Sequence, residues 1–426
     1  MLHPVAMTAP RGPLAGIRVV ELAGLGPGPF AAMLLADLGA DVVRVDRVVP
    51  GGLQLGTGKR GDIVNRGKRS IAVDLKAPAG VALVRDLIAT ADVLIEGFRP
   101  GVAERLGLGP EECAARNARL VYARMTGWGQ DGPLANVAGH DIVYIALTGA
   151  LWATGRKDEA PVAALNLVGD YAGGSLFLVM GVLAALLEAR SSGLGQVVDT
   201  AMVDGVSVLT TMFTAMAQLG VWDLGRRAAN ILDSSAPWYD VYPCADGKWV
   251  AVGALEPQFY AELVRASGFR DDQDASRFLQ APPDQWPGLK QEWAAHWLTR
   301  ARDEWTAMLG HTDACVQPVL DWAEREQHPH LVARQTYVEV DGITQAAPAP
   351  RLSRTPLGIH RPPPLSGEHS REVAAELGLS EEDVEALLAS GALSQRLEQA
   401  SLLDGRLPSK PTGRAGSGGG ARREQL

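Results

Sequence analysis

Over the first half of the chain, short β-rich runs alternate with stretches of helical period. Ile17–Leu22 reads as a strand, Pro29–Leu38 as a helix and Asp41–Val45 as a second strand. Ser70–Leu75 and Asp92–Glu96 read as further strands, with a helix over Gly80–Thr90 between them, and Leu120–Met125 as a fifth. Strands spaced by single helices predict parallel βαβ units and a doubly wound α/β sheet.

After Gly173 the pattern predicts a long helix to about Arg190, stopped by Ser191-Ser192-Gly193. Its apolar run, Leu176–Leu187, is too short to span a bilayer and reads as a buried helix. A short strand over Gln196–Thr200 and an apolar helix over Ala201–Leu219 follow. From Trp238 the texture changes to two strands, Tyr239–Tyr242 and Lys248–Val252, joined by Asp246-Gly247, a hairpin turn signal. Helical segments carrying Trp286, Trp293, Trp297 and Trp305 complete a smaller α+β unit. A helical piece spans Ser370–Leu387, and the Gly/Ser/Arg-rich stretch from Pro408 has no apolar periodicity, so disorder is expected there.

With 426 residues, 46% hydrophobic and 21% charged, the chain has core for two or three domains. A net charge of −9 gives no basic field for nucleic acid or an anionic membrane, so neither is expected as a partner. Met1–Pro13 has no apolar signal region, which makes a cytoplasmic location the expectation. Cys113, Cys244 and Cys315 are scattered, without CxxC or His clustering, and predict neither a disulfide framework nor a metal site.

Gly26-x-Gly28-x-x-Ala31 follows the first strand, and Asp46 ends the next, as in a dinucleotide fingerprint. Pro27 and Pro29, however, lack the backbone N–H groups that a pyrophosphate needs at a helix start, so the motif reads as a tight βα turn. Arg66, Lys68, Arg69, Lys76, Arg99 and Arg105 recur around strand ends, a pattern that suits an anionic ligand along the carboxyl edge of the sheet. His140 lies in Ala-Gly-His-Asp, Asp170 just ahead of the long helix as its N-cap or as a reactive acid, and Glu256 just past the hairpin. Spacing alone does not bring these three together.

The segments PLAGIRVVELAGLGPGPFAAMLLADLGADVVRVDR, NRGKRSIAVDLK, GFRPGVAERLGLGP, ARMTGWGQDGP, AGHDIVY, LNLVGDYAGGS, GQVVDTAMVDG and VGALEPQFY, in that order, make the chain resemble the family III CoA transferases. Within them it resembles the α-methylacyl-CoA racemases, over roughly residues 13–360. That resemblance implies a large α/β domain (11–200, completed by 335–365) and a linker, 201–233. It further implies a small α+β domain (234–319), a second linker (320–334) and a C-terminal helical segment over 366–400. The stretch 401–426 matches nothing in the pattern. Two chains would interlock as a homodimer.

The resemblance also implies inversion at Cα of 2-methylacyl-CoA thioesters by two-base proton transfer through an enolate. His140 and Asp170 would serve the two faces of the carbon, and Glu256, from the partner chain, would orient the imidazole. The first-turn amides of the helix that Asp170 opens would hold the enolate oxygen. Contacts to CoA, which is part of the substrate rather than a cofactor, would fall on Arg47, on Val73, Asp74, Leu75 and Lys76, and on Gly97, Phe98 and Arg99. Arg105, and Gly139 with Asp141, Ile142, Val143 and Tyr144, would complete them. No cofactor and no metal are implied. The competing readings are a CoA transferase, with Asp170 as nucleophile, and a catalytically silent acyl-CoA binder. One departure from the racemase pattern is Asp233-Ser234-Ser235-Ala236-Pro237, where Asp-Gly-Gly-Ala-Pro is usual.

Overall fold

The computed structural model describes residues 12–49, 62–269 and 281–395. The stretch from 401 on, expected to be disordered, lies outside them. Strands β1 (Arg18–Leu22), β2 (Asp41–Asp46), β3 (Lys68–Val73), β4 (Val93–Glu96), β5 (Val121–Thr126) and β6 (Val197–Ala201) pair in parallel in the order β3-β2-β1-β4-β5-β6. Their Val- and Ile-rich sequences suit burial on both faces. A two-residue strand, Leu393–Ser394, adds to β3 antiparallel at Val73 and Ala72 and forms the edge on that side.

Helices cover both faces of the sheet. On one, α1 (Pro27–Asp37) packs Ala31 and Leu35, and the long helix Leu176–Ser192 packs Leu178, Val182 and Ala185, against Val19, Val42 and Val93. On the other, α2 (Pro78–Ala89) and the helices Ser370–Glu376 and Glu381–Ala389 bury Val84, Leu87, Val373 and Val384 against Val20, Val43 and Leu94. The strand order reverses between β1 and β4, so the carboxyl ends of these two strands flank the crevice where open α/β sheets hold ligands.

The long helix departs from its expected burial. Continuous from Leu167 to Ser192, it runs 26 residues, which by length and composition alone would be enough to cross a membrane. One face is in the core, but Leu176, Met180, Leu183 and Leu187, spaced one turn apart, stand exposed on the other. The apolar helix expected over 201–219 breaks at Thr210 into Met202–Leu209 and Thr211–Gln218.

The smaller unit has its own core. Strands Tyr239–Pro243, Trp249–Gly253 and Val316–Pro318 form an antiparallel sheet, with the Asp246-Gly247 step turning between the first two and Gly247 at φ 76. Helices Pro257–Ser267, Trp286–Trp297 and Arg302–Leu309 bury Trp238, Trp293, Trp297, Trp305 and Tyr260 against it.

Candidate active site

The turn after β1 opens the site. Gly26 takes φ 70, and a Cβ there would stand 3.0 Å from Oδ2 of Asp170. The glycine in the fingerprint-like motif therefore makes room for a carboxylate of this same chain. Phe30, in the first turns of α1, stacks on Tyr171 with ring centroids 4.2 Å apart, and the Ser175 hydroxyl lies 2.8 Å from the Pro27 carbonyl oxygen.

Asp170 sits in a nine-residue π-helix, Leu167–Ser175, that runs into the long helix. Glycines allow the close packing of this wide turn. A Cβ on Gly173 would meet Val206 at 2.5 Å, and one on Gly205 would stand 1.9 Å from the Gly173 carbonyl oxygen. π-helical turns inside α-helices recur at functional sites. Asp170 is thus not the N-cap, a position held by Asn166, whose side-chain amide donates to Oδ2 of Asp170 at 3.1 Å.

His140 is exposed and occupies the N-cap position of the helix Asp141–Leu147, with extended backbone at φ −139. The next residue, Asp141, turns inward: its Oδ2 accepts from the Gly169 amide at 2.6 Å and the Asp170 amide at 2.7 Å. One carboxylate therefore bridges the segments that carry His140 and Asp170. Burial pushes the Asp170 carboxyl above its ordinary value, and the Asp141 charge adds to the rise, while the Asn166 amide and His140 pull the other way. Tyr144, buried edge-on to Trp128 at 4.7 Å, also titrates high, through burial and then the Asp170 charge, with Arg99 opposing. Gly127 and Gly139 leave space for its ring.

The remaining expected contacts fall at the carboxyl edge of the sheet. Arg47 is exposed just past β2, Lys76 is exposed past β3, and Gly97 and Arg99 are exposed past β4 with Phe98 half-buried between them. Arg105 is exposed at the end of the short helix Val102–Arg105. Ile142 and Val143 present exposed apolar side chains next to His140. Asp74 and Leu75 are half-buried, and Asp74 Oδ1 accepts from the Lys76 amide at 2.9 Å.

Several expectations need correction. The Val73 side chain is buried in the core, so only its backbone can face a ligand. The Asp141 side chain is buried, with Oδ2 accepting from two amides, so it does not present its carboxylate at the surface for CoA. The same two bonds occupy first-turn amides of the Asp170 helix that were expected to hold an enolate oxygen. Arg66, Lys68 and Arg69 also turn inward. Arg66 pairs with Asp37 at 2.6 Å, Lys68 is wholly buried against Glu21 at 2.6 Å, and Arg69 joins Asp41, Glu372 and Glu376. Of the six cations expected along the sheet edge, these three serve the fold instead.

His140 and Asp170 are brought together, and Glu256 is placed elsewhere. Glu256 is exposed ahead of Pro257 in the smaller unit, where its charge raises Cys315 behind the larger effect of burial. Sequence reasoning missed Asn166 and the bridging role of Asp141. The one available signal was the glycine set 169, 173 and 174 around Asp170.

Residues 14–370 match the family model described as CoA-transferase family III. Among curated proteins, alpha-methylacyl-CoA racemase of Mus musculus is 44% identical over 375 residues, covering 87% of this chain and 95% of that protein. Succinyl-CoA–D-citramalate CoA-transferase of Chloroflexus aurantiacus is 34% identical, over 89% of this chain and 98% of that one. Among solved structures, a CAIB/BAIF family protein from Brucella suis superposes with a TM-score of 0.73 at 27% identity, covering 86% of this chain and all of the other.

Proposed function

This chain belongs to CoA-transferase family III, and from that premise we propose that it interconverts the R and S forms of 2-methylacyl-CoA thioesters by moving the proton at Cα. The observation that carries the reading is an exposed imidazole, His140, near enough for its charge to act on the half-buried carboxyl of Asp170. The similarity to a racemase (44%) also exceeds that to a transferase (34%).

The thioester Cα–H is weakly acidic, so inversion calls for a base on one face and an acid on the other. For one enantiomer, neutral His140 removes the proton and protonated Asp170 returns one to the opposite face; the reverse reaction exchanges the roles. The raised carboxyl suits this duty, because a carboxylic acid must keep its proton near neutral pH to give it up. The chemistry moves a proton and nothing else, and it calls on no metal or redox group. The CoA moiety would lie along the sheet edge on Arg47, Lys76, Arg99 and Arg105, whose forks and ammonium suit phosphate oxygens.

In the proposed assembly two copies form a dimer, and Glu256 of one reaches His140 of the other. The exposed apolar face of the long helix and the exposed position of Glu256 in the smaller unit support this arrangement. A cytoplasmic enzyme is the accompanying proposal.

The test is proton NMR of the pure enzyme with (S)-2-methylacyl-CoA in deuterium oxide and no acceptor acid. The Cα proton signal is expected to disappear, and to persist with His140→Ala. CoA transfer to an added carboxylate, without exchange, would instead establish Asp170 as a transferase nucleophile.

A further inference from the structure

We propose that Asp141 is a positioning residue for the proton transfer, the direct link that fixes the distance between the imidazole of His140 and the carboxyl of Asp170. This rests on the two-base reading above and extends it to a residue that touches neither the substrate carbon nor its proton.

The link is short. Asp141 is covalently next to His140, and its carboxylate accepts from the backbone amides of Gly169 and Asp170 at 2.6 and 2.7 Å. A Cβ on Gly169 would stand 2.6 Å from the same oxygen, so glycine at that position admits the contact. The residue is 5% exposed, and its other oxygen, Oδ1, has no hydrogen-bond partner among the described residues. An ordinary cap at the start of a helix is a neighbour in sequence and lies at the surface. Asp141 stands 29 residues away from Asp170 and spends a buried charge with one oxygen unpaired, a costly arrangement if only a helix end were to be satisfied.

Inversion gives such a link a purpose. The two proton carriers must face opposite sides of one carbon, and each must serve as acid and as base. A displacement of about 1 Å in such a pair costs on the order of a hundredfold in rate. A carboxylate also does what a neutral cap would not, because its charge helps keep the Asp170 carboxyl protonated. The groups facing Asp170 are Asp141 and Tyr144 from the helix Asp141–Leu147, His140 at its N-cap, and Asn166 at the start of its own segment. From α1 the packing is the stacked ring of Phe30, and from Met202–Leu209 the side chains of Met202 and Val206, none of them charged.

The experiment is Asp141→Asn in the full chain, assayed for Cα deuterium exchange from each enantiomer across pH. Both exchange rates are expected to fall by roughly tenfold to a hundredfold. In the direction that needs Asp170 protonated, activity falls as pH rises through the Asp170 ionisation. Removing the Asp141 charge lowers that ionisation, so the fall should begin at lower pH than in wild type. Wild-type rates in the variant, or reduced rates with an unmoved pH profile, would overturn the proposal. Should Asp141→Asn not fold, hydrogen exchange of the wild-type protein decides: protected amides at Gly169 and Asp170 support the link, and free exchange there overturns it. A wild-type enzyme that moves no Cα proton while those amides are protected would sink the two-base reading and leave the Asp141 contact standing, so the two failures are separable.

Discussion

Glu96 and Arg124 meet at 2.8 Å on adjacent strands, β4 and β5, just below the carboxyl edge of the sheet. The other carboxylate oxygen of Glu96 accepts from the Phe98 amide at 2.7 Å, and Arg124 also reaches Glu104 at 3.0 Å. The pair therefore holds both the Gly97–Arg99 turn and the short helix that ends in Arg105. Arg124→Met should cost about 3–5 kcal/mol, because it leaves a buried carboxylate unpaired. Burial already sets the Glu96 carboxyl high, with the Phe98 amide and Arg124 opposing. Without the guanidinium it should rise further, so the deficit grows as pH rises through that ionisation. Thermal melts at acid and alkaline pH check this, and KM for acyl-CoA should rise as the turn loosens.

Asp170 carries a stability cost that the proposed proton transfer would require. Its folded carboxyl titrates above the unfolded value, so the folded state binds the extra proton and stability is lost as pH rises through that window. Asp170→Asn should abolish exchange yet raise the melting temperature near neutral pH. The gain should vanish below the ordinary carboxylate range, where wild type is protonated in both states. Paired melts across pH measure it.

Ser234 occupies the left-handed region, with φ 68, where the racemase pattern carries glycine. Lys290 donates to its carbonyl at 2.6 Å, a bond that survives any side-chain change. Ser234→Gly should therefore stabilise the fold by up to about 1 kcal/mol, read as a shift in denaturation midpoint.

Gly205→Ala should do the reverse. The added Cβ would strike the Gly173 carbonyl oxygen, which is backbone and cannot give way by a rotamer change. A loss of at least about 1–3 kcal/mol is expected, with exchange falling further than stability because the Asp170 turn is what moves. Melting and deuterium exchange on the same sample separate the two.

Subunit mixing tests the proposed dimer and whether Glu256 acts across it. His140→Ala and Glu256→Ala homodimers should both be nearly inactive. When the two are co-expressed, the mixed dimer keeps one site with both wild-type groups, and about half of wild-type activity per mixed dimer should return. No recovery in a proven heterodimer would mean that Glu256 serves its own chain, and an active Glu256→Ala homodimer that it serves neither.

The sheet was legible because its strands are apolar runs of the right length, and β1 to β5 fall within two residues of where the pattern puts them. The inward cations were not legible, since Arg66, Lys68 and Arg69 find their carboxylates in Asp37, Glu21 and Asp41, residues distant in sequence that the fold alone brings near. The π-helical setting of Asp170 was hidden for a similar reason. It depends on packing of Gly173 against the helix at 202–209, and a glycine by itself does not say what approaches it. The hairpin Tyr337–Val340 with Ile343–Ala346 could have been found, because Asp341-Gly342 repeats the turn signal seen at Asp246-Gly247.

The strand Leu393–Ser394 beside β3 has a consequence for how copies of this chain can add to one another. That strand is only two residues long and pairs with Ala72 and Val73 alone, so on that side the sheet ends in an edge too short to serve as a template for a neighbouring strand. On the other side β6 is a five-residue edge strand with Val197 exposed. A copy of this chain adding through a sheet edge is therefore directed to the β6 side.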